Sequence, residues 1–139
     1  MGDTRWQALG PLPGMEPGND ASVAIDVAGE EFPRTILLGD LGAGPQAALM
    51  RRVELPRVEI VKVSHHGSAD QDPDLYRRLH AAVGLIGVGA DNTYGHPTAR
   101  LLDILQQGAT VAARTDTGGL LAVWRDDEGR LALWRQRGG

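Results

Sequence analysis

Cysteine is absent from all 139 residues, which excludes disulfides and every thiolate metal site. Histidine and carboxylate are the strong metal ligands that remain, and all four histidines fall between positions 65 and 96. Lysine occurs once, at Lys62, while arginine is plentiful, a bias that reads as genomic composition rather than phosphate recognition. Aromatic residues make up 4%, so a core has to be built from Leu, Val, Ile and Ala. The net charge of -4 does not favour non-specific binding to nucleic acid. Long apolar runs are missing too. The most apolar stretch, residues 81–90, is too short to cross a bilayer and is rich in glycine, and no signal peptide is recognisable.

What is present suits one globular domain, with 42% apolar and 23% charged residues in a chain long enough to bury a core. Residues 1–18 read as an extended lead-in, broken by Gly and Pro and anchored at most by Trp6 and Leu9. Met1-Gly2 and Gly138-Gly139 read as frayed ends. From residue 19 to 139 strands alternate with helices. Strands are expected at Ser22–Val27, Thr35–Asp40, Glu59–Val63, Val83–Val88 and Thr110–Ala113. Helices are expected from Pro45 to Arg52, from Asp72-Pro73 to His80, and from Pro97 to about Gly108. Leu120–Trp124 and Leu131–Trp134 flank Asp126-Asp127-Glu128-Gly129, a hairpin signal. The class is therefore α/β with a terminal hairpin.

Three strands end in chemically loaded loops: Gly39-Asp40, His65-His66-Gly67-Ser68 and Asp91–His96. In a shared sheet such loops converge on one edge, where α/β folds bind ligands. Taken singly each has a plain explanation. Asp40 can cap a turn, and one histidine of His65-His66 can finish the strand while the other is solvated. His96 can serve helix entry, His80 sits on an amphipathic helix far from the loops, and Asp116 beside Gly118-Gly119 suits a turn. Arg51-Arg52 and Arg77-Arg78 read as solvated helix ends. The joint occurrence of Asp40, His65-His66 and His96 is what points to a site.

The segments Asn19-Asp20-Ala21-Ser22-Val23, Leu37-Leu38-Gly39-Asp40, Val61-Lys62-Val63-Ser64-His65-His66-Gly67-Ser68, Asn92-Thr93-Tyr94-Gly95-His96-Pro97 and Arg114-Thr115-Asp116-Thr117-Gly118 carry a resemblance. In this order the chain resembles the metallo-β-lactamase-like domain of ComEC-type competence proteins, which take up DNA across bacterial membranes. The resemblance implies the C-terminal half of an αββα sandwich: a mixed sheet with helices packed on it and a hairpin at the end. The half-domain that carries the family's His-x-His-x-Asp-His signature has no counterpart here.

By the same resemblance Asp40 and His65 would be metal ligands. His66 and His96 would be catalytic, holding a phosphate or protonating a leaving oxygen. Ser68, Asn92 and Tyr94 would position substrate or brace the ligands. The implied activity is metal-dependent phosphodiester hydrolysis with two zinc or manganese ions, weak or absent in this stretch alone. A non-catalytic docking module with vestigial metal residues is the alternative. The implied partners are DNA, the missing half-domain and a membrane domain, and the implied setting is a soluble domain of a multi-pass bacterial membrane protein. Half a sandwich would also leave an apolar sheet face exposed, which implies self-association.

Overall fold

The computed structural model describes residues 3–138, so the expectation for Met1, Gly2 and Gly139 lies outside the described residues. Six strands form one sheet in sequential order: β1 (Arg5–Ala8), β2 (Ile25–Ala28), β3 (Thr35–Leu37), β4 (Ile60–Lys62), β5 (Val83–Ile86) and β6 (Val111–Arg114). The first two pairings are antiparallel and the remaining three are parallel. Parallel neighbours need crossovers, and helices supply them: α1 (Ala43–Arg52), α2 (Pro73–Leu79) and α3 (Ala99–Gln107). A four-residue helix, α4 (Thr115–Gly118), follows β6. Strands β7 (Leu121–Arg125) and β8 (Leu131–Arg135) then make a separate antiparallel hairpin. The α/β class, the mixed sheet and the terminal hairpin are as the sequence indicated.

Strand register divides the sheet into two unlike faces. Ile36, Val61, Gly84 and Ala112 are partners across β3 to β6, and this row lies under the helices. It packs with Leu49 of α1, Leu75 and Leu79 of α2, and Leu101 and Leu105 of α3 in one core. Gly84 is required here: a Cβ would meet Leu105 Cδ1 at 3.2 Å, so the missing side chain lets α3 approach. The alternate rows, Thr35-Ile60-Val83-Val111 and Leu37-Lys62-Leu85-Ala113, point the other way.

That second face is apolar and only partly covered. The β7–β8 hairpin leans over it, tied down by Arg125 to Glu59 at 2.6 Å. Leu121 and Val123 line a groove of about 510 Å³ against Phe32, Leu37, Ile60 and Leu85. Ile60 is buried, whereas Phe32, Leu37, Val111 and Leu120 stay exposed. An apolar surface of this kind favours association. Sedimentation velocity on the 139-residue chain is therefore expected to show a concentration-dependent rise in mean mass, reduced by Leu37→Asp. A monomer at every concentration would contradict this.

Several local expectations change. The lead-in contains β1, a strand exposed throughout and paired along β2, and it is anchored by Leu9 and, partly buried against the core, Leu12, whereas Trp6 is 71% exposed. Pro97 precedes α3 rather than opening it, because Thr98 is the N-cap and its hydroxyl accepts from the Leu101 amide. Helix α4 carried no periodic signal. No helix among the described residues is long and apolar enough to cross a membrane.

Candidate functional site

Because β3, β4 and β5 run parallel, the loops at their carboxyl ends meet on one edge of the sheet. Asp40 follows β3 through Gly39, whose φ of +58° turns the chain, and its amide donates to Ser22 Oγ at 3.1 Å. Ser64 to Gly67 follow β4 as a 3-10 turn with unusual backbone angles. His65, His66 and Gly67 all lie in the left-handed region, with φ of 45°, 54° and 86°. Two non-glycine residues in that region cost about 1–2 kcal/mol each, and such strain persists only where the surroundings impose it.

The surroundings do impose it. Ser64 Oγ donates to Leu41 O at 2.6 Å, and the His65 amide donates to Gly39 O at 3.0 Å. Beneath the turn lies a buried polar network that sequence reasoning missed. Gln71 donates through Nε2 to Ser64 O at 3.0 Å and to Ser68 Oγ at 3.3 Å. Its Oε1 accepts from Gln46 Nε2 at 2.8 Å and from the Tyr76 hydroxyl at 2.7 Å. Gln46 also donates to Leu41 O at 2.7 Å and accepts from the Asp72 amide at 2.8 Å. Gln46 and Gln71 are 0% and 2% exposed, and burial pushes the Tyr76 hydroxyl far above its ordinary pKa. Among the described residues no buried side-chain polar atom lacks a partner. The network joins α1, α2 and the strained turn into one unit.

Within this frame the imidazoles face one rim. His66 Nδ1 lies 2.7 Å from Gly87 O. A carbonyl only accepts, so Nδ1 carries the proton, and Nε2 is turned to Asp40 Oδ1 at 3.9 Å. That gap is beyond hydrogen-bond reach. The His65 ring is near both of the others, with centroids 6.4 Å from His66 and 5.9 Å from His96. The four groups singled out in the sequence are thus brought together, with His66, not His65, as the imidazole opposite Asp40.

The remaining candidates divide. Ser68 is buried under the turn and accepts from Gln71. Asn92 clamps its own loop, donating to Gly89 O at 3.1 Å and His96 O at 3.0 Å while accepting from the His96 amide at 3.2 Å. Tyr94 stands on that loop 84% exposed. His80 is exposed and ends α2 in the left-handed conformation, away from the rim. Asp116 pairs with Arg114 in two hydrogen bonds of 3.1 and 2.6 Å, which hold its carboxyl below the usual range. Lys62, passed over as compositional, is half-buried on the open sheet face, where its Nζ donates to Val63 O at 2.8 Å. Burial pulls its ammonium below the ordinary pKa, opposed by the charge of Asp40. A single lysine inside an apolar strand was the signal available for it.

As a metal centre the donor set is incomplete. A catalytic zinc takes about three protein ligands. Among the described residues no three His, Asp or Glu side chains cluster closely enough to hold an ion. Asp40 and His66 form a pair, and the second ring nitrogen of His66 is spent on Gly87, the usual orientation device behind a ligating imidazole. The residues present do not by themselves fit a bound metal.

The chain is 30% identical over 123 residues to ComE operon protein 3 of Bacillus subtilis (strain 168), a stretch covering 86% of this chain. It spans 16% of the length of that relative. No family model matches the chain. No solved structure matches it either.

Proposed function

We propose that this chain is part of a metal-dependent hydrolase domain of a ComEC-type competence protein, acting on DNA phosphodiesters during uptake. The observation that carries the reading is the convergence of Asp40, His65, His66 and His96 on one sheet edge, held by a strained turn over a buried polar network. The similarity to ComE operon protein 3 supports the competence context. The metallo-β-lactamase-like relationship rests on the motifs and their order. Asp40 with His66 or His65 would hold a zinc or manganese ion only together with donors that these residues do not supply. Such a centre would supply Lewis-acid stabilisation of the phosphoryl oxygens.

The chain's own residues have narrower tasks. His66, fixed by Gly87 O, presents Nε2 to the rim as a ligand or proton acceptor. His96 sits within reach of the same space to hold a phosphate oxygen or deliver a proton to a leaving oxygen. A second reading, a non-catalytic docking module, is favoured by the two-donor set.

One pair of measurements separates the two. Isothermal titration of zinc or manganese into the 139-residue chain should give weak binding that Asp40→Asn abolishes; tight stoichiometric binding would contradict the incomplete donor set. In the longer parent protein, Asp40→Asn should cut metal-dependent DNA hydrolysis by at least about a hundredfold, since even residues behind a ligand typically cost ten- to a hundredfold. Unchanged hydrolysis would leave the docking module as the function.

A further inference from the structure

Tyr94 is the most exposed of the large apolar and aromatic side chains among the described residues, at 84%, and it makes no contribution to the core. It is nonetheless not on a loose loop. The three hydrogen bonds of Asn92 to Gly89 and His96 close the turn beneath it, and Thr98 anchors the following segment to Gly67 O through its amide at 2.9 Å and its hydroxyl at 3.2 Å. The Tyr94 ring lies 6.1 Å from the His96 ring, with planes inclined by only 30°. The two rings form a shallow aromatic ledge on one side of a cleft of about 380 Å³. Across the cleft the lining is Gly87-Val88-Gly89, and His66 stands at its end. That run is braced by Thr115, whose hydroxyl donates to Val88 O at 2.6 Å and accepts from the Val88 amide at 2.8 Å. A rigid aromatic ledge, a facing wall with two glycines and the His66 imidazole at one end match a planar ring joined to a phosphate.

We propose that Tyr94 is a stacking platform for an unpaired nucleobase, so that the cleft beside His66 takes single-stranded nucleic acid in preference to duplex. The proposal deepens the hydrolase reading and rests on it for the phosphate that the histidines would face. In a duplex both faces of each base are covered by neighbouring pairs, so an isolated aromatic ledge can be used only by a base outside a stack. Stacking is also a source of affinity that does not depend on a positive surface. This matters for a chain of net charge -4, to which phosphates alone are weakly drawn.

The test is an NMR titration of the 139-residue chain with thymidine 5′-monophosphate and, separately, with 2-deoxyribose 5-phosphate. The expected result is ring-current shifts at Tyr94 and at the amides of Gly87 and Gly89 with the nucleotide but not with the sugar phosphate. Tyr94→Ala should weaken nucleotide binding about tenfold, the loss typical of one stacked base, while Tyr94→Phe retains it. Fluorescence anisotropy should show preference for oligothymidylate over its duplex with oligoadenylate, and Tyr94→Ala should erase that preference. Equal shifts from the two ligands, no shifts from either, or wild-type affinity in Tyr94→Ala would each overturn the proposal. None of these readouts involves bond cleavage. A failure of the hydrolase reading, seen as Asp40-independent hydrolysis in the longer protein, therefore stays distinguishable from a failure of stacking.

Discussion

Gln71→Leu is expected to remove about 4 kcal/mol of stability, a large share of the 5–15 kcal/mol that holds a domain folded. The side chain is 2% exposed and makes four hydrogen bonds. Leucine fills the volume but leaves the Tyr76 hydroxyl, one Gln46 amide proton and the Ser64 carbonyl without partners in a dry interior. Each orphan costs about 1–3 kcal/mol, and the apolar gain of leucine offsets only part of the sum. Urea unfolding reads the effect as a lower midpoint at unchanged slope. The matched change at the exposed Gln107 should stay within about 0.5 kcal/mol. A Gln71→Leu loss below about 1 kcal/mol would mean that the network carries little weight. Because the Ser64 carbonyl is one of the ties on the strained turn, the same variant should also shift the ring resonances of His65 and His66.

Gly67→Ala comes second in expected size. Gly67 has φ of +86°, and a Cβ there would meet Pro97 Cβ at 2.7 Å and Leu101 Cδ2 at 2.8 Å. Alanine would pay about 1–2 kcal/mol for the left-handed backbone and a similar amount for displacing the start of α3. The expected total of about 3 kcal/mol should lower Tm by roughly 10 °C. The displacement also moves His65 and His66 away from His96, so the ring contacts of the rim should be lost together with stability. Gly44→Ala provides a control. It lies in the first turn of α1 with nothing within 4 Å of its Cβ position, and the helix propensity gained there is offset by the steric restriction that Pro45 places on the residue before it, so stability should change by less than about 1 kcal/mol. If the two alanine variants melt alike, the close approach at Gly67 is not what holds the turn.

How far the residues foretold this arrangement depends on where side-chain chemistry follows a simple period. The β-branched runs at Ile60–Lys62 and Val83–Ile86, the capped helices and the hairpin around Asp126–Gly129 all announce themselves, and each exists within a residue or two of its expected bounds. Strand β1 does not, because the polar–apolar alternation of Arg5-Trp6-Gln7-Ala8 lasts only four residues beside a Gly- and Pro-rich stretch; an edge strand exposed on both sides has no buried face to encode. The rim was legible as composition at strand ends, since parallel strands carry such residues to one edge. What could not be read was the pairing within it. Which imidazole opposes Asp40 depends on the left-handed angles of His65 and His66, and those are dictated by contacts from Gly39, Leu41 and Gln71. The glutamines were missed for a related reason. Gln46 and Gln71 resemble any solvated helix or loop residue until the partners that bury them, 25 positions apart, come together.

The sequential parallel order of β3 to β6 has a consequence for how the protein comes by its chemistry. The crossovers 38–59, 63–82 and 87–110 must all close before the loop ends stand side by side, so no short peptide cut from the chain contains the constellation in miniature. Non-local closures of this kind are slow to form and cooperative once made. A single proteolytic nick in any crossover that lets its helix drift would dissolve the constellation as a whole, whichever residues it spared.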